Sequence, residues 1–395
     1  MYSSAPRRAA AAAGARHFSA SAPAPTARAA ALASALRDGP SLDDFAAGAA
    51  SGGGAACATP AAPRKKAPRE RLPEWLRVER PGGEDYTRIR KQMRSLKLAT
   101  VCEEARCPNI GECWGGEKGT ATATIMVMGD TCTRGCRFCN VKTSRTPPPL
   151  DPNEPLATAQ AIASWDIDYV VITSVDRDDQ PDHGAGHLAQ VIRTVKELKP
   201  SLMLECLSPD FGGDLSRVAL VATAGLNVFA HNLETVERLT PTVRDRRATY
   251  RQSLAVLTGA RALAPEVVTK TSLMLGCGET AAEVRQTMRD ALSAGVEIIT
   301  FGQYLQPSKR HMAVSRMLPP SEYENWREEG MAMGFKYVAS GPLVRSSYKA
   351  GEVFLEAFAK EKAEQAKAAR ALGEGKAAAA RGGARQASAA AAAQL

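Results

Sequence analysis

This chain of 395 residues lacks long apolar runs, lacks acidic residues in its first 37 positions, and has no histidine beside its cysteine clusters. No apolar run approaches the roughly 18 residues that a membrane span requires, so we expect a soluble protein. Nine cysteines are too few in so long a chain for a secreted disulfide scaffold. Six of them fall in two clusters, which indicates metal binding in a reducing compartment.

The acid-free start has the composition of an organellar transit peptide, because it is rich in arginine, serine and alanine. Arg16-His-Phe18-Ser19 resembles a mitochondrial processing site, with an arginine shortly before an aromatic–small junction. We therefore predict a mitochondrial transit peptide over residues 1–37. A plastid leader and a merely disordered extension are the alternatives.

The net charge of +9 is concentrated at the two ends of the chain. Residues 1–37 contribute +5 and residues 372–395 contribute +2, which leaves an ordinary balance for the rest. A site that binds single-stranded nucleic acid has aromatic residues among its basic ones, and the basic run Arg64-Lys-Lys66 has none. The charge therefore predicts no nucleic-acid partner.

Composition also divides the chain. Residues 38–71 contain Ser51-Gly-Gly-Gly54 and several prolines and are predicted to be a disordered linker. A basic helix is predicted from Tyr86 to Leu98 within an N-terminal extension over residues 72–120. A C-terminal segment with an Ala/Lys/Glu helix is predicted over 341–371, and the low-complexity tail 372–395 is predicted to be disordered.

The chain is organised around Cys132-Thr-Arg-Gly-Cys136-Arg-Phe-Cys139, which follows a strand-like run. Thiolates are the ligands that iron–sulfur clusters require, and a 4Fe–4S cube normally takes four of them. Three in one loop leave one iron open for another ligand. This spacing resembles the signature of radical S-adenosylmethionine (SAM) enzymes. A zinc knuckle or structural thiol cluster is the alternative, although zinc favours two Cys-x2-Cys pairs.

A second set of three thiols precedes it, in Cys102-Glu-Glu-Ala-Arg-Cys107-Pro-Asn-Ile-Gly-Glu-Cys113. Its gaps of four and five residues match neither one face of a helix nor the pairs of a zinc site, and Pro108 and Gly111 indicate a loop. An odd number of cysteines in a reducing compartment argues against disulfides. Two sets of three thiols predict two clusters.

Residues 121–340 alternate apolar β-branched runs with helical stretches, which predicts a parallel sheet covered by helices. Six units suit a partial (β/α)6 barrel, whose chemistry lies at the C-terminal ends of its strands. The strand-like runs are 123–128, 169–173, 202–206, 226–230, 267–275 and 297–303. Helices are predicted over 186–198, 249–263 and 281–294, among others.

Polar residues collect at the ends of several predicted strands: Thr173-Ser-Val-Asp-Arg-Asp-Asp179 after the second, Glu205 within the third and His231-Asn232 at the end of the fourth. They either hold a cofactor or cap the following helices. The pattern therefore assigns no SAM-binding side chain, and His231 by itself favours a structural histidine. Cys206 and Cys277 are predicted to be buried as small apolar residues.

Taken together, the two cysteine sets and Arg345-Ser-Ser-Tyr348 resemble the lipoyl synthase family, in its mitochondrial plant and algal form. The resemblance covers roughly Trp75 to Glu352. It implies a radical SAM barrel with an N-terminal extension that carries an auxiliary cluster loop, and a short C-terminal segment that closes on that loop. Gly276-Cys-Gly-Glu279 and Gly302-Gln-Tyr304 also match the family.

The resemblance implies two 4Fe–4S clusters and SAM as cofactors. Cys132, Cys136 and Cys139 would bind the cluster that holds SAM. Cys102, Cys107, Cys113 and Ser347 would bind the auxiliary cluster, with Ser346 as the alternative fourth ligand. A serine oxygen is a harder ligand than a thiolate and can leave when the cluster is consumed.

The implied reaction inserts two sulfurs at carbons 6 and 8 of a protein-bound octanoyl-lysine. These carbons are unactivated, so hydrogen removal requires a radical, here generated from SAM, and the auxiliary cluster supplies the sulfur. The implied partners are octanoylated domains of 2-oxoacid dehydrogenase acyltransferases and the glycine-cleavage carrier protein. A low-potential electron donor such as ferredoxin and iron–sulfur assembly proteins would also be needed.

Two alternatives remain at this point. Another radical SAM enzyme that inserts sulfur, of the biotin synthase or methylthiotransferase type, would keep the Cys132 loop and change the auxiliary ligands. A two-cluster electron carrier would use four protein ligands per cluster and would need no barrel.

Overall fold

A computed structural model describes residues 72–78, 82, 84–95, 99–104, 107–115, 124–165, 167, 169–348 and 350–351. The predicted leader, linker, tail and Ala/Lys/Glu helix lie outside these residues. Among the described residues, no helix is long and apolar enough to cross a membrane.

One sheet of eight strands forms the centre of the fold. Its order is β1-β2-β5-β6-β7-β8-β9-β10, and every neighbouring pair is parallel except β1 with β2. The strands of this sheet are β1 (Ala99–Thr100), β2 (Thr124–Val127), β5 (Tyr169–Ser174), β6 (Met203–Leu207), β7 (Val228–Ala230), β8 (Val268–Leu275), β9 (Ile298–Gln303) and β10 (Tyr337–Ser340). Two short parallel strands, β3 (Thr131–Cys132) and β4 (Lys142–Thr143), pair separately.

Helices connect the parallel strands, as their buried, β-branched sequences predict. The helices are α1 (Glu84–Ser95), α2 (Val101–Glu104), α3 (Ile110–Gly115), α4 (Glu154–Ala163), α5 (Ala185–Leu198), α6 (Leu215–Ala222), α7 (Thr240–Val243), α8 (Tyr250–Leu263), α9 (Ala281–Ser293) and α10 (Pro320–Met333). Three single 3₁₀ turns, Glu74–Leu76, Phe211–Gly213 and Glu237–Leu239, complete the described elements.

Side chains on the strands divide between two faces by the two-residue period of extended backbone. Val170 and Ile172 pack into the main apolar core, where helices cover the sheet. Tyr169 and Val171 point the other way and pack with Ala350. The chain beyond β10 therefore returns to the inner face of the sheet.

The inner face also carries a buried polar group. The ammonium of Lys270 on β8 lies 2.8 and 2.9 Å from the two carboxylate oxygens of Glu205 on β6. The hydroxyl of Tyr169 on β5 donates to Glu205 at 2.6 Å. Glu205, which the sequence offered among the strand-end polar residues, thus links β6 to its neighbour β5 and, across β7, to β8.

The predicted partial barrel is confirmed, and each of the six predicted strands is present. The structure adds a seventh parallel strand, β10, which pairs with β9 through Val338 and Ile299. This strand has four residues, and the hydrophobic pattern of so short a segment does not distinguish a strand from a loop. β1 and β10 form the two edges of this sheet among the described residues, so the barrel is open.

Candidate iron–sulfur and SAM site

A cavity of about 540 Å³ opens at the C-terminal ends of the strands, where a barrel of this class places its chemistry. Thr173, Leu207 and Met274, from the ends of three strands, line it. The cavity is also lined by five of the six clustered cysteines and both serines of the predicted site: Cys102, Cys107, Cys132, Cys136, Cys139, Ser346 and Ser347. Residues far apart in sequence therefore face one space.

The loop from Cys132 to Cys139 presents its sulfurs to backbone N–H groups. The N–H of Arg134 donates to the Cys132 sulfur at 3.4 Å, and the N–H of Asp245 donates to the Cys136 sulfur at 3.2 Å. Hydrogen bonds of this kind orient sulfur ligands and adjust the reduction potential of the cluster that those sulfurs hold.

Arg134, between the first two cysteines, anchors this loop to the sheet. Its guanidinium donates to Asp210 at 2.6 and 2.7 Å and to Asp178 at 2.8 Å. The Arg134 side chain is only 3% exposed, so these are buried, bidentate ion pairs. They fix the loop to the residues that follow β5 and β6.

The electrostatics of this anchor follow from its geometry. Burial alone would raise the pKa of Asp210, but the hydrogen bonds and charge of Arg134 outweigh it and hold that pKa at about 2. Asp178 likewise has a lowered pKa, because Arg134 and Thr133 offset its burial. Burial raises the pKa of Asp176, which lines the cavity, to about 6.

Two other segments hold the loop from outside the sheet. Asp245 accepts from the N–H of Gly135 at 2.9 Å, and the N–H of Arg137 donates to the carbonyl of Val243 at 2.9 Å. His311 Nε2 lies 2.9 Å from the Cys139 carbonyl, so it donates there as the Nε2–H tautomer. Loop contacts thus surround all three cysteines.

The donor set fits a cluster better than a single ion. In the described part of the chain, no three His, Cys, Asp or Glu side chains converge as one metal ion requires. The sulfurs that hold a cube must stand further apart, since each binds a different iron. Burial raises the pKa of Cys132 and Cys136 to about 12 and that of Cys139 to about 11. Binding of iron must therefore displace protons from these thiols.

The second cysteine set wraps around two short helices. Cys102 lies in α2, Cys107 precedes α3 and Cys113 lies within α3. The N–H of Cys107 donates to the Cys102 carbonyl at 2.9 Å. Burial, followed by the negative charges of Cys107 and Cys113, raises the pKa of Cys102 to about 12. The three thiols are therefore neighbours, although Cys113 is not among the residues that line the cavity.

The C-terminal segment closes on this second loop. The amide of Asn109 donates to the Leu343 carbonyl at 2.5 Å across 234 positions of sequence. A Cβ at Gly302 would lie 1.9 Å from the Val344 carbonyl, so only glycine admits this close approach. The charge of Arg345 also acts on Cys107, whose pKa is raised chiefly by burial.

The two loops meet as well. The Asn140 amide, one residue after the last cysteine of the central loop, donates to the Glu104 carbonyl at 2.9 Å. Residues of both cysteine sets line the same cavity, Cys102 and Cys107 from one and Cys132, Cys136 and Cys139 from the other. Both Ser346 and Ser347 line it, and this geometry does not distinguish between them, so Ser347 as a ligand stays a prediction.

The strand-end residues have mostly structural partners. His231 is buried between the Ser208 carbonyl at 2.8 Å and the Ser253 hydroxyl at 2.9 Å. Burial lowers its pKa to about 4, so it is neutral near pH 7. The prediction of a structural histidine is confirmed. Cys206 is buried as predicted, whereas Cys277 is only partly buried.

Sequence reasoning missed Arg134 and Asn109 as organisers of the site, and it gave no role to Gly302 beyond a match to the family. Arg134 had a weak signal, because an arginine between two cysteine ligands is matched by the acid-rich run that ends at Asp179. Asn109 had none, since its partner lies far away in sequence.

Comparisons with known proteins are consistent with this geometry. A family model described as the N-terminal domain of lipoyl synthase of the radical SAM family matches residues 14–107, and the radical SAM superfamily model matches residues 126–291. The mitochondrial lipoyl synthase of Aedes aegypti is 60% identical over 299 residues, 75% of this chain and 76% of the relative. That of Populus trichocarpa is 62% identical over 288 residues, covering 72% and 75%. That of Paracoccidioides lutzii is 55% identical over 343 residues, covering 83% and 77%.

Proposed function

The chain belongs to the lipoyl synthase family of radical SAM enzymes, and we propose that its two cysteine sets hold two 4Fe–4S clusters with different fates. The family is an enzyme family of lipoate biosynthesis that acts on lipoyl-carrier proteins, and it uses a 4Fe–4S cluster and SAM. The observation that carries the division of roles is the shared cavity, which five of the six clustered cysteines and both serines line.

Cys132, Cys136 and Cys139 hold the resident cluster, which with SAM supplies a carbon radical able to remove hydrogen from an unactivated chain. The work of this chain's own residues is positioning. Arg134 fixes the loop to the strand ends, and Asp245 and His311 hold its outer side. A loop fixed at all these points keeps the radical carbon at a constant distance and orientation from the substrate carbon.

Cys102, Cys107, Cys113 and Ser347 hold the auxiliary cluster, which acts as a substrate because it gives up sulfur. Cys107 and Ser347 both line the cavity, so the sulfur source faces the space in which the radical forms. A serine oxygen binds iron less softly than thiolate and leaves more readily during disassembly. Ser346 remains the alternative fourth ligand.

The substrate is an octanoyl chain on a lysine of a carrier domain, and it receives sulfur at carbons 6 and 8. Support comes from the apolar part of the cavity wall, which suits an eight-carbon chain and excludes water. That apolar wall is formed by Val101, Met126, Phe138, Leu207, Leu273, Met274, Leu305 and Val344, among others.

The partners are octanoylated domains of 2-oxoacid dehydrogenase acyltransferases and the glycine-cleavage carrier protein. A low-potential donor such as ferredoxin supplies electrons, and assembly proteins rebuild the auxiliary cluster. The site of action is the mitochondrion, supported by the acid-free leader and by the similarity to mitochondrial lipoyl synthases. Residues 1 to about 60 fused to a fluorescent reporter should enter mitochondria, and exclusive plastid import would contradict this.

The decisive experiment labels the auxiliary sulfur. The protein is reconstituted anaerobically with iron and heavy-isotope sulfide, then given dithionite, SAM and an octanoyl-lysine peptide. We expect about eight irons per chain and heavy sulfur at both inserted positions, measured by mass spectrometry. About four irons, or product without the label, would remove the auxiliary cluster as the sulfur source.

A further inference from the structure

Two stretches of this chain that contain no acidic residue meet beside the cavity. Residues 131–150 and residues 298–321 contain neither aspartate nor glutamate. The first stretch carries the central cysteines. The second consists of β9 and the loop after it, which contacts the loop of the central cysteines. They touch where His311 binds the Cys139 carbonyl and where the N–H of Met312 donates to the Arg137 carbonyl at 3.3 Å.

Four exposed cations lie in these stretches or beside a residue that contacts them: Arg137, Lys309, Arg310 and, next to Asp245, Arg246. They are here called the rim cations. Each adjoins a part of the site. Arg137 follows the cavity-lining Cys136, and Arg246 follows Asp245, whose N–H contacts the Cys136 sulfur. Lys309 and Arg310 lie between Pro307, which lines the cavity, and His311, which contacts the Cys139 carbonyl.

The rim cations lack acidic partners within the described ranges. Among them only Arg137 has a side-chain bond, to the Thr242 carbonyl at 3.4 Å. Several exposed arginines elsewhere in the described part of the chain are paired with carboxylates, whereas Arg193 and Arg289 have no such pair. Arg251 binds Glu237 at 2.7 Å, Arg285 binds Glu329 at 2.6 Å, and Arg316 binds Glu322 at 2.6 Å. The rim cations differ from unpaired arginines such as Arg193 in that all four adjoin residues of the site in sequence.

The octanoyl amide itself carries no charge that these cations could bind. A surface with one sign of charge around a cavity favours a partner of the opposite sign and speeds its encounter. We propose that the rim cations form the docking face for the folded carrier domain, through acidic side chains around its octanoyl-lysine. This inference rests on the proposed function and adds to it the surface that selects the carrier.

The test compares a folded octanoylated lipoyl domain with a short, uncharged octanoyl-lysine peptide, using reconstituted enzyme. The rim variant is Lys309→Glu with Arg310→Glu. The control variant, Arg193→Glu with Arg289→Glu, changes the net charge equally on the exposed faces of α5 and α9. Circular dichroism and iron content verify that each variant is folded and loaded.

We expect the ratio of kcat/KM for the lipoyl domain to kcat/KM for the peptide to fall about tenfold in the rim variant. In the control variant this ratio should stay within about twofold of wild type. Raising salt from about 50 to 300 mM should lower the wild-type ratio and change that of the rim variant much less. Should Lys309→Glu with Arg310→Glu misfold, Lys309→Gln with Arg246→Gln should lower the ratio about threefold.

A second readout needs no turnover. Fluorescence anisotropy of the labelled lipoyl domain should give a Kd about tenfold higher for the rim variant than for wild type. Equal Kd values, or an equal loss in the control variant, would overturn the docking face. Absence of lipoyl product from both substrates with wild type would instead refute the proposed function, while the anisotropy still decides the docking face.

Discussion

The two cysteine loops of this protein are held in different ways. The central loop, Cys132 to Cys139, is fixed to the sheet through a buried arginine that pairs with Asp178 and Asp210. In the auxiliary loop, Cys102 to Cys113, the described ion pairs are the partly exposed contacts of Arg90 and Arg94 with Glu103, at 3.3 and 3.8 Å. This loop joins the C-terminal segment through one amide, Asn109, and the central loop through another, Asn140.

This difference matches the fates that we propose for the two clusters. Buried ion pairs are costly to break, so the central loop keeps its shape over many turnovers. A neutral hydrogen bond contributes far less, so the auxiliary loop and the serine segment can separate and close again. The fold thus places a fixed site and a renewable site on one cavity.

The largest expected effect comes from removing one cysteine of each loop. Cys136→Ala should abolish both 5′-deoxyadenosine and lipoyl product, because the site that binds SAM is incomplete. Cys107→Ala should abolish only the lipoyl product, since the radical still forms. Both products are measured anaerobically by mass spectrometry. Lipoyl product from Cys107→Ala, or 5′-deoxyadenosine from Cys136→Ala, would remove the division of roles.

Loss of the charged anchor should come next. Arg134→Met leaves Asp178 and Asp210 buried without their partner, so the free energy of unfolding should fall by about 3–5 kcal/mol. Urea unfolding of the metal-free protein measures it. Arg316→Met, which breaks the exposed pair with Glu322, is the control and should cost less than about 1 kcal/mol. Equal losses in the two variants would show that the anchor does not stabilise the fold.

Replacement of the serines should have a smaller effect, confined to the auxiliary site. Ser347→Ala should lower lipoyl product per SAM cleaved by more than about tenfold, because the auxiliary cluster loses its fourth ligand. Ser346→Ala is the matched control and should stay within about threefold of wild type. The reverse ranking would move the ligand to Ser346, and wild-type lipoylation by both variants would leave this segment as a simple turn.

The smallest effect is expected at the single amide between the auxiliary loop and the serine segment. Asn109→Ala removes the bond to the Leu343 carbonyl and should cost about 1 kcal/mol. Hydrogen exchange at the backbone of residues 344–348 should become several-fold faster, while exchange in the central loop stays unchanged. Asn153→Ala, at an exposed position without a side-chain cap bond, is the control. Unchanged exchange at 344–348 would show that Asn109 does not hold the segment.

Most of the fold was predictable because its signals are local. Parallel strands covered on both faces are apolar and β-branched, and β5 and β9 show this within six residues each. The capping box at Thr280 and Glu283 likewise marks the start of α9 within four residues. The short strand β10 escaped prediction, because its pairing with β9 defines it more than its own composition does.

The candidate site was predictable only as far as spacing and family resemblance reach. Two sets of three thiols indicate two clusters by ligand number alone, and the sequence places both around the first strand of the barrel. The role of the acid-rich run after β5 was left open between cofactor binding and helix capping. In the structure, Asp178 of that run instead anchors Arg134.

The sequence by itself determined which residues are available: thiols at cluster spacing, glycines where the backbone must approach closely, and alternating strands and helices. The tertiary structure alone decided which of them meet. Asn109 reaches Leu343 across 234 positions, and Arg134 reaches Asp210 across 76. The physical reason is that periodicity and spacing act within a few turns of chain. Contacts over such separations depend instead on the order of strands in the sheet, which brings the carboxyl ends of all parallel strands, and the loops that follow them, to one edge.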